Sequence, residues 1–91
     1  MKVEHIYYSG KFSREYRNLP LRVKKIAEQR EKVFRENPFE ASLKTHKLKG
    51  SLKDFYSFSL SQKYRIIFEF ADEGIVGFHS VGEHSIYRLF D

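Results

Sequence analysis

The stretch that decides the fold is Tyr56-Ser57-Phe58-Ser59-Leu60-Ser61, followed by Tyr64-Arg65-Ile66-Ile67-Phe68-Glu69-Phe70. In the first run, aromatic or aliphatic residues alternate with serine. In the second, Tyr64, Ile66, Phe68 and Phe70 alternate with Arg65, Ile67 and Glu69. A period of two is the mark of strands with one face buried and one open. The break at Ser61-Gln62-Lys63 fits a hairpin loop, and Asp72-Glu73-Gly74 fits a second one before a third apolar run, Ile75 to Val81. Three hairpin-linked strands therefore form an antiparallel meander. Parity puts Arg65 with Ser57, Ser59 and Glu69 on the face opposite the core, open for function.

Upstream the period changes. Phe12, Tyr16 and Leu19 recur at helical spacing, and Asn18-Leu19-Pro20 ends that helix. Pro20 suits the first turn of a second helix, where its missing N–H costs nothing. Val23, Ile26, Ala27, Val33 and Phe34 give this second helix one apolar stripe on an otherwise charged surface. Asn37-Pro38 closes it. The two helices read as an αα-hairpin. Before them, Val3 to Tyr8 has strand-forming residues, stops at Ser9-Gly10, and joins the sheet at an edge or the centre. The expected fold is thus α+β, in the order β-α-α-β-β-β, with helices packed on one face of the sheet. The segment Ser85 to Phe90 fits a helical turn or a short strand equally well.

The chain has 91 residues, which reads as a single domain over 1–91. Nine Phe and six Tyr suit a small, dense core. The absence of cysteine excludes disulfides, thiolate metal sites and cysteine nucleophiles, and suits a reducing compartment. No apolar run approaches a membrane span, and no signal-peptide core follows Met1, so the expected location is cytoplasmic, with no membrane partner. The net charge is +5, and residues 44–65 carry six Lys/Arg against one Asp. Such a basic stripe points to polyanions, above all nucleic acid, or else to a solvated surface.

Several residues have side chains suited to chemistry. The basic loop from Leu43 to Gly50 offers lysines that bind phosphate without reading sequence, or that keep the loop soluble. Arg65 fits phosphate oxygens bidentately, or pairs with a carboxylate across the sheet. His84, just after the last strand beyond Gly82, is placed to move protons near neutral pH, or is a surface residue. Gly82 is expected to let the backbone turn there. Tyr87 stacks on a base or fills the core. Histidine spacing gives no metal motif, and no nucleotide-cofactor loop is present, so neither a metal nor a cofactor is expected. Imidazole, guanidinium and ammonium groups can together cleave RNA, because the 2′-hydroxyl supplies the nucleophile.

Three pieces, His46-Lys47-Leu48-Lys49-Gly50, Tyr64-Arg65-Ile66-Ile67-Phe68-Glu69 and Val81-Gly82-Glu83-His84, in this order and spacing, resemble the RelE/ParE superfamily of bacterial type II toxins. The branch they resemble is that of RelE- and YafQ-like mRNA interferases. The resemblance implies a microbial RNase-like RelE fold and metal-free cleavage of mRNA on the ribosome by 2′-hydroxyl attack. It also implies neutralisation by a cognate antitoxin. It gives Arg65 the role of stabilising the transition state, and His84 and His46 those of acid and base, in an order left open. It makes Lys47 and Lys49 ligands of RNA phosphates, with Tyr87 in the region of the family's C-terminal aromatic; Lys53, in the same basic stretch, is expected to bind RNA as well. Two departures stand out. YafQ-like members carry a further histidine and an aspartate where this chain has Ser59 and Lys63, and RelE itself uses arginine, lysine and tyrosine rather than histidine. The same fold also serves gyrase poisons of the ParE type, which bind without catalysis, and a toxin that has lost its activity is a third reading.

Overall fold

The computed structural model describes residues 2–83 and Ile86. Strand β1 spans His5–Tyr8, helix α1 Gly10–Arg17 and helix α2 Leu21–Glu36. Strands β2 (His46–Lys47), β3 (Tyr56–Ser59), β4 (Tyr64–Asp72) and β5 (Ile75–Glu83) follow, with short 3-10 turns at Ala41–Leu43 and Gly50–Leu52. The sheet order is β1-β5-β4-β3-β2. The meander β3-β4-β5 is antiparallel, as the alternation predicts. β1 lies at an edge and runs parallel to β5, so the sheet is mixed.

The helices bury their stripes on one face. Phe12, Val23, Ala27 and Phe34 join Phe58, Ile66, Phe68, Val76 and Phe78 in one core. Phe34 is its centre: fully buried, its ring lies 4.7 Å from that of Phe58, 4.9 Å from Phe68 and 5.3 Å from Phe78. Edge-to-face and offset pairs of this kind add to the area they bury.

Four residues of β1 cannot cover nine residues of β5. Beyond Phe78 the free edge of β5 is closed by α1 instead. The Ser9 N–H donates to the Phe78 carbonyl at 3.1 Å and the Ser9 hydroxyl to the His79 carbonyl at 2.8 Å. That same hydroxyl accepts the Phe12 N–H and so caps α1. An open strand edge is a template for unwanted pairing, and these bonds remove it.

Three expectations need correction. The basic loop contains strand β2, because His46 and Lys47 pair with Ser57 and Tyr56. The face opposite the helices is not wholly open: Ser57, Ile67 and Ser80 are fully buried there. Ile67 is an apolar residue in the middle of that face and needs a cover. Phe55 and His79, on either side of β4, meet ring to ring at 5.2 Å across it, and Leu52 and Ile86 are buried outside the main core. Finally, Gly82 makes no turn, since it pairs with Arg65 inside β5. Its lack of a side chain leaves room for Ile86, whose Cγ2 would lie 2.5 Å from a Cβ at that position.

Candidate anion-binding site

Arg65 stands on the second face of β4, between Ser59 of β3 and Gly82 of β5, and is half-buried. Its Nη1 donates to the Tyr64 carbonyl at 3.1 Å and to the Ser61 carbonyl. Both bonds use one nitrogen. They hold the fork towards the β3–β4 turn, and Nε and Nη2 donate to no described residue. The Ser61 hydroxyl accepts the Lys63 and Tyr64 N–H groups, each at 3.2 Å. This local turn is what aims the Ser61 carbonyl at Arg65.

Beside Arg65 a cleft of about 380 Å³ opens at the hairpin end of the sheet. Arg30 of α2, Lys44 after the Ala41–Leu43 turn, Ser42, Ser59, Ser61 and Gln62 line it together with Leu60. Three cations from three elements thus face one space whose lining, among the described residues, contains no carboxylate. Sequence reading did not single out Arg30. On α2 it belongs to a charged outer face that looks solvated, and only the packing of the Ala41–Leu43 turn against α2 turns it into a wall. Its Nη1 donates to the Ser42 hydroxyl at 3.0 Å. Glu40, beside the lining residue Ser42, accepts the Ser42 N–H at 2.7 Å and the Ser42 hydroxyl. Those bonds, with the charge of Arg30, hold its carboxyl below the usual range.

His46 pairs with Ser57, so its side chain belongs to the same face as Arg65. It lies two strands and two residues away, roughly 12 Å between Cα positions at ordinary strand spacings. The two side chains are not brought into contact. The exposed ring of His46 has Nδ1 3.1 Å from the Lys44 carbonyl. A carbonyl only accepts, so in the neutral ring Nδ1 carries the proton and Nε2 presents the lone pair. Lys47 is opposite Tyr56, which is opposite Phe68, and so it belongs to the helix side of the sheet at the exposed edge. Lys49 and Lys53 flank the Gly50–Leu52 turn and are exposed. His84 and Tyr87 lie outside the described residues, as does most of the Ser85–Phe90 tail. Lys63 pairs loosely with Glu83 at 3.7 Å. Among the described residues no group of three or more His, Asp or Glu side chains is arranged to hold a metal ion, and no helix is long and apolar enough to cross a membrane.

No protein-family model matches this sequence, and no curated protein is similar to it at a significant level. Solved structures are. The chain superimposes on a YoeB/ParE toxin from Agrobacterium tumefaciens with a TM-score of 0.76, at 14% identity, over 89% of this chain and 99% of that one. The toxin–antitoxin complex RelBE2 of Mycobacterium tuberculosis gives 0.75 at 18% identity, over 93% of this chain and 95% of that one. The DinJ-YafQ toxin–antitoxin complex of E. coli gives 0.74 at 21% identity, over 94% and 97%. The fold of this protein is therefore that of the RelE/ParE-type toxins, as the motif resemblance implies. The likeness extends over nearly the full length of each of those chains.

Proposed function

We propose that this chain is the toxin of a toxin–antitoxin pair, and that it cleaves mRNA on the ribosome. The observation that carries the reading is Arg65, a permanently charged fork held on the face away from the helices, whose Nε and Nη2 donate to no described residue. A binder needs no such group at a sheet centre, whereas cleavage of a phosphodiester does. The 2′-oxygen attacks phosphorus, the bond to the 5′-oxygen breaks, and a cyclic phosphate remains. Negative charge grows on the non-bridging oxygens as this happens, and Arg65 neutralises it. One imidazole takes the 2′-hydroxyl proton and another group protonates the leaving 5′-oxygen. His46, with Nε2 unprotonated, and His84 fill these roles. Lys49 and Lys53 hold neighbouring phosphates, Lys47 does so from the rim, and Tyr87 stacks on a base. A cognate antitoxin is the protein partner, as DinJ and the antitoxin of RelBE2 are for the similar toxins.

The test is toeprinting of mRNA on programmed ribosomes with the purified chain, run beside a gyrase supercoiling assay. Cleavage is expected, reduced on the order of 10²-fold or more in Arg65→Ala. A supercoiling defect without cleavage would establish a ParE-type binder. Cleavage at the same rate in Arg65→Ala, His46→Ala and His84→Ala would remove the mechanism.

A further inference from the structure

We propose that the cleft between Arg30, Lys44 and Arg65 is a subsite for one backbone phosphate of single-stranded RNA, adjacent to the phosphate that is cut. This rests on the cleavage reading of Arg65 and adds two residues to it. Three independent features point to an oxygen-rich anion. The cations come from α2, from the 3-10 turn and from β4, so no local sequence pattern explains their meeting. Arg65 forms no ion pair with a carboxylate among the described residues, and Arg30 meets Glu40 only through the Ser42 hydroxyl, without a direct ion pair. Their protein bonds go to the Ser42 hydroxyl and to main-chain carbonyls. Apart from Leu60 and Ser42, whose hydroxyl proton goes to Glu40, the remaining lining is hydroxyl and amide from Ser59, Ser61 and Gln62, which supplies further donors for oxygens.

Lys44 adds a backbone argument. It is the one non-glycine among the described residues with positive φ, at 54°. A left-handed lysine is disfavoured relative to the right-handed region, and glycine would avoid that cost. Asparagine, the usual alternative, would avoid much of it. The lysine at this position is explained by its charge at the mouth of the cleft.

The geometry favours RNA over an acidic peptide. Ser59 and Arg65 are cross-strand partners, so the cleft continues directly from the sheet face on which cleavage is placed. A chain whose scissile phosphate meets Arg65 from that face extends past the hairpin end into the cleft. The volume of about 380 Å³ is at the small end of the ~300–1,000 Å³ typical of ligand pockets. That suits one nucleotide unit rather than a folded segment.

The experiment uses the full chain, a 2′-O-methyl hexanucleotide that cannot be cut, and the variants Arg30→Gln and Lys44→Gln, each checked by thermal melting. Each variant is expected to weaken hexanucleotide binding about tenfold, equivalent to about 1.4 kcal/mol. The dependence of log K on log salt should become shallower by roughly 0.7. On cleavable RNA, KM should rise by more than kcat falls. Unchanged hexanucleotide affinity in both folded variants would overturn the subsite while leaving cleavage by Arg65 standing. Loss of affinity only for an acidic antitoxin peptide, with RNA binding intact, would overturn it too. So would binding of inorganic phosphate as tight as that of the hexanucleotide. If the hexanucleotide effect appears but the chain cuts no RNA, the subsite stands and the cleavage reading falls.

Discussion

Glu15 Oε1 accepts the backbone N–H of Val81 at 3.1 Å, across 66 positions of sequence. The carboxylate thus stands in for a strand where β1 is too short to reach. Its other oxygen holds Lys11 at 2.7 Å, and Lys11 reaches the buried Ser80 hydroxyl at 3.0 Å. Glu15→Ala leaves the Val81 N–H without its partner and is expected to cost about 1–3 kcal/mol. Glu15→Gln keeps an acceptor of the same length and should cost less than half as much. Chemical denaturation of the two variants checks the difference.

Phe34 gives the largest expected effect. Deleting its ring removes contacts with Phe58, Phe68 and Phe78 together. Phe34→Ala should cost about 3–5 kcal/mol, a large share of the stability of a domain this size. Phe34→Leu, which keeps most of the volume, should remain folded at 25 °C. Urea midpoints for the pair measure the effect.

How much of this could be read from sequence depended on whether the signal was local. The period of two in Tyr56–Phe70 and the breakers at Asn18–Pro20 and Asn37–Pro38 are local, and the meander and both helices follow from them. The parallel pairing of β1 with β5 is not, because no residue of His5–Tyr8 marks its partner. The second buried layer was also hidden. Ser57 and Ser80 look like solvent residues until Ile67 is seen between them in the register. At the site, parity placed Arg65 correctly on the second face. Arg30 and Lys44 join it only through tertiary packing, which no spacing records.

Gly82 tests close approach rather than backbone freedom. A methyl group there would press on Ile86, which is almost fully buried. Gly82→Ala is expected to destabilise by about 1–3 kcal/mol. Adding Ile86→Ala makes the space, so the double variant should be more stable than the two separate losses combined would allow. A double-mutant cycle by thermal melting reads the coupling. Since His84 lies between these positions in sequence, cleavage by Gly82→Ala should fall and recover in part in the double variant.

His79 gives the protein an acid-side dependence. Burial is the main cause that lowers its pKa from the ordinary 6.5, and the Lys11 ammonium adds to it, while Glu69 and Glu15 oppose it. Its Nδ1 lies 2.7 Å from the Ser80 hydroxyl. The unfolded chain therefore takes up this proton at a higher pH than the folded one. The contribution of neutral His79 is complete above about pH 6.5 and is lost as pH falls towards the lower folded value. The melting temperature should drop between pH 7.5 and 5.5. In His79→Gln, which cannot titrate, the decline should be shallower over the same window.

Lys44 separates stability from binding, because its backbone and its charge pull in opposite directions. Lys44→Gly removes the left-handed penalty at φ 54° and should stabilise the fold by about 1 kcal/mol. For a domain of this length that is roughly 4–8 °C in Tm. Lys44→Ala keeps a Cβ in the same conformation and gains nothing. Both variants lose the ammonium, so both should bind the 2′-O-methyl hexanucleotide more weakly than the parent chain. A more stable protein with weaker RNA binding in the glycine variant, set against weaker binding without added stability in the alanine variant, is the pattern that assigns the strained lysine to its ligand.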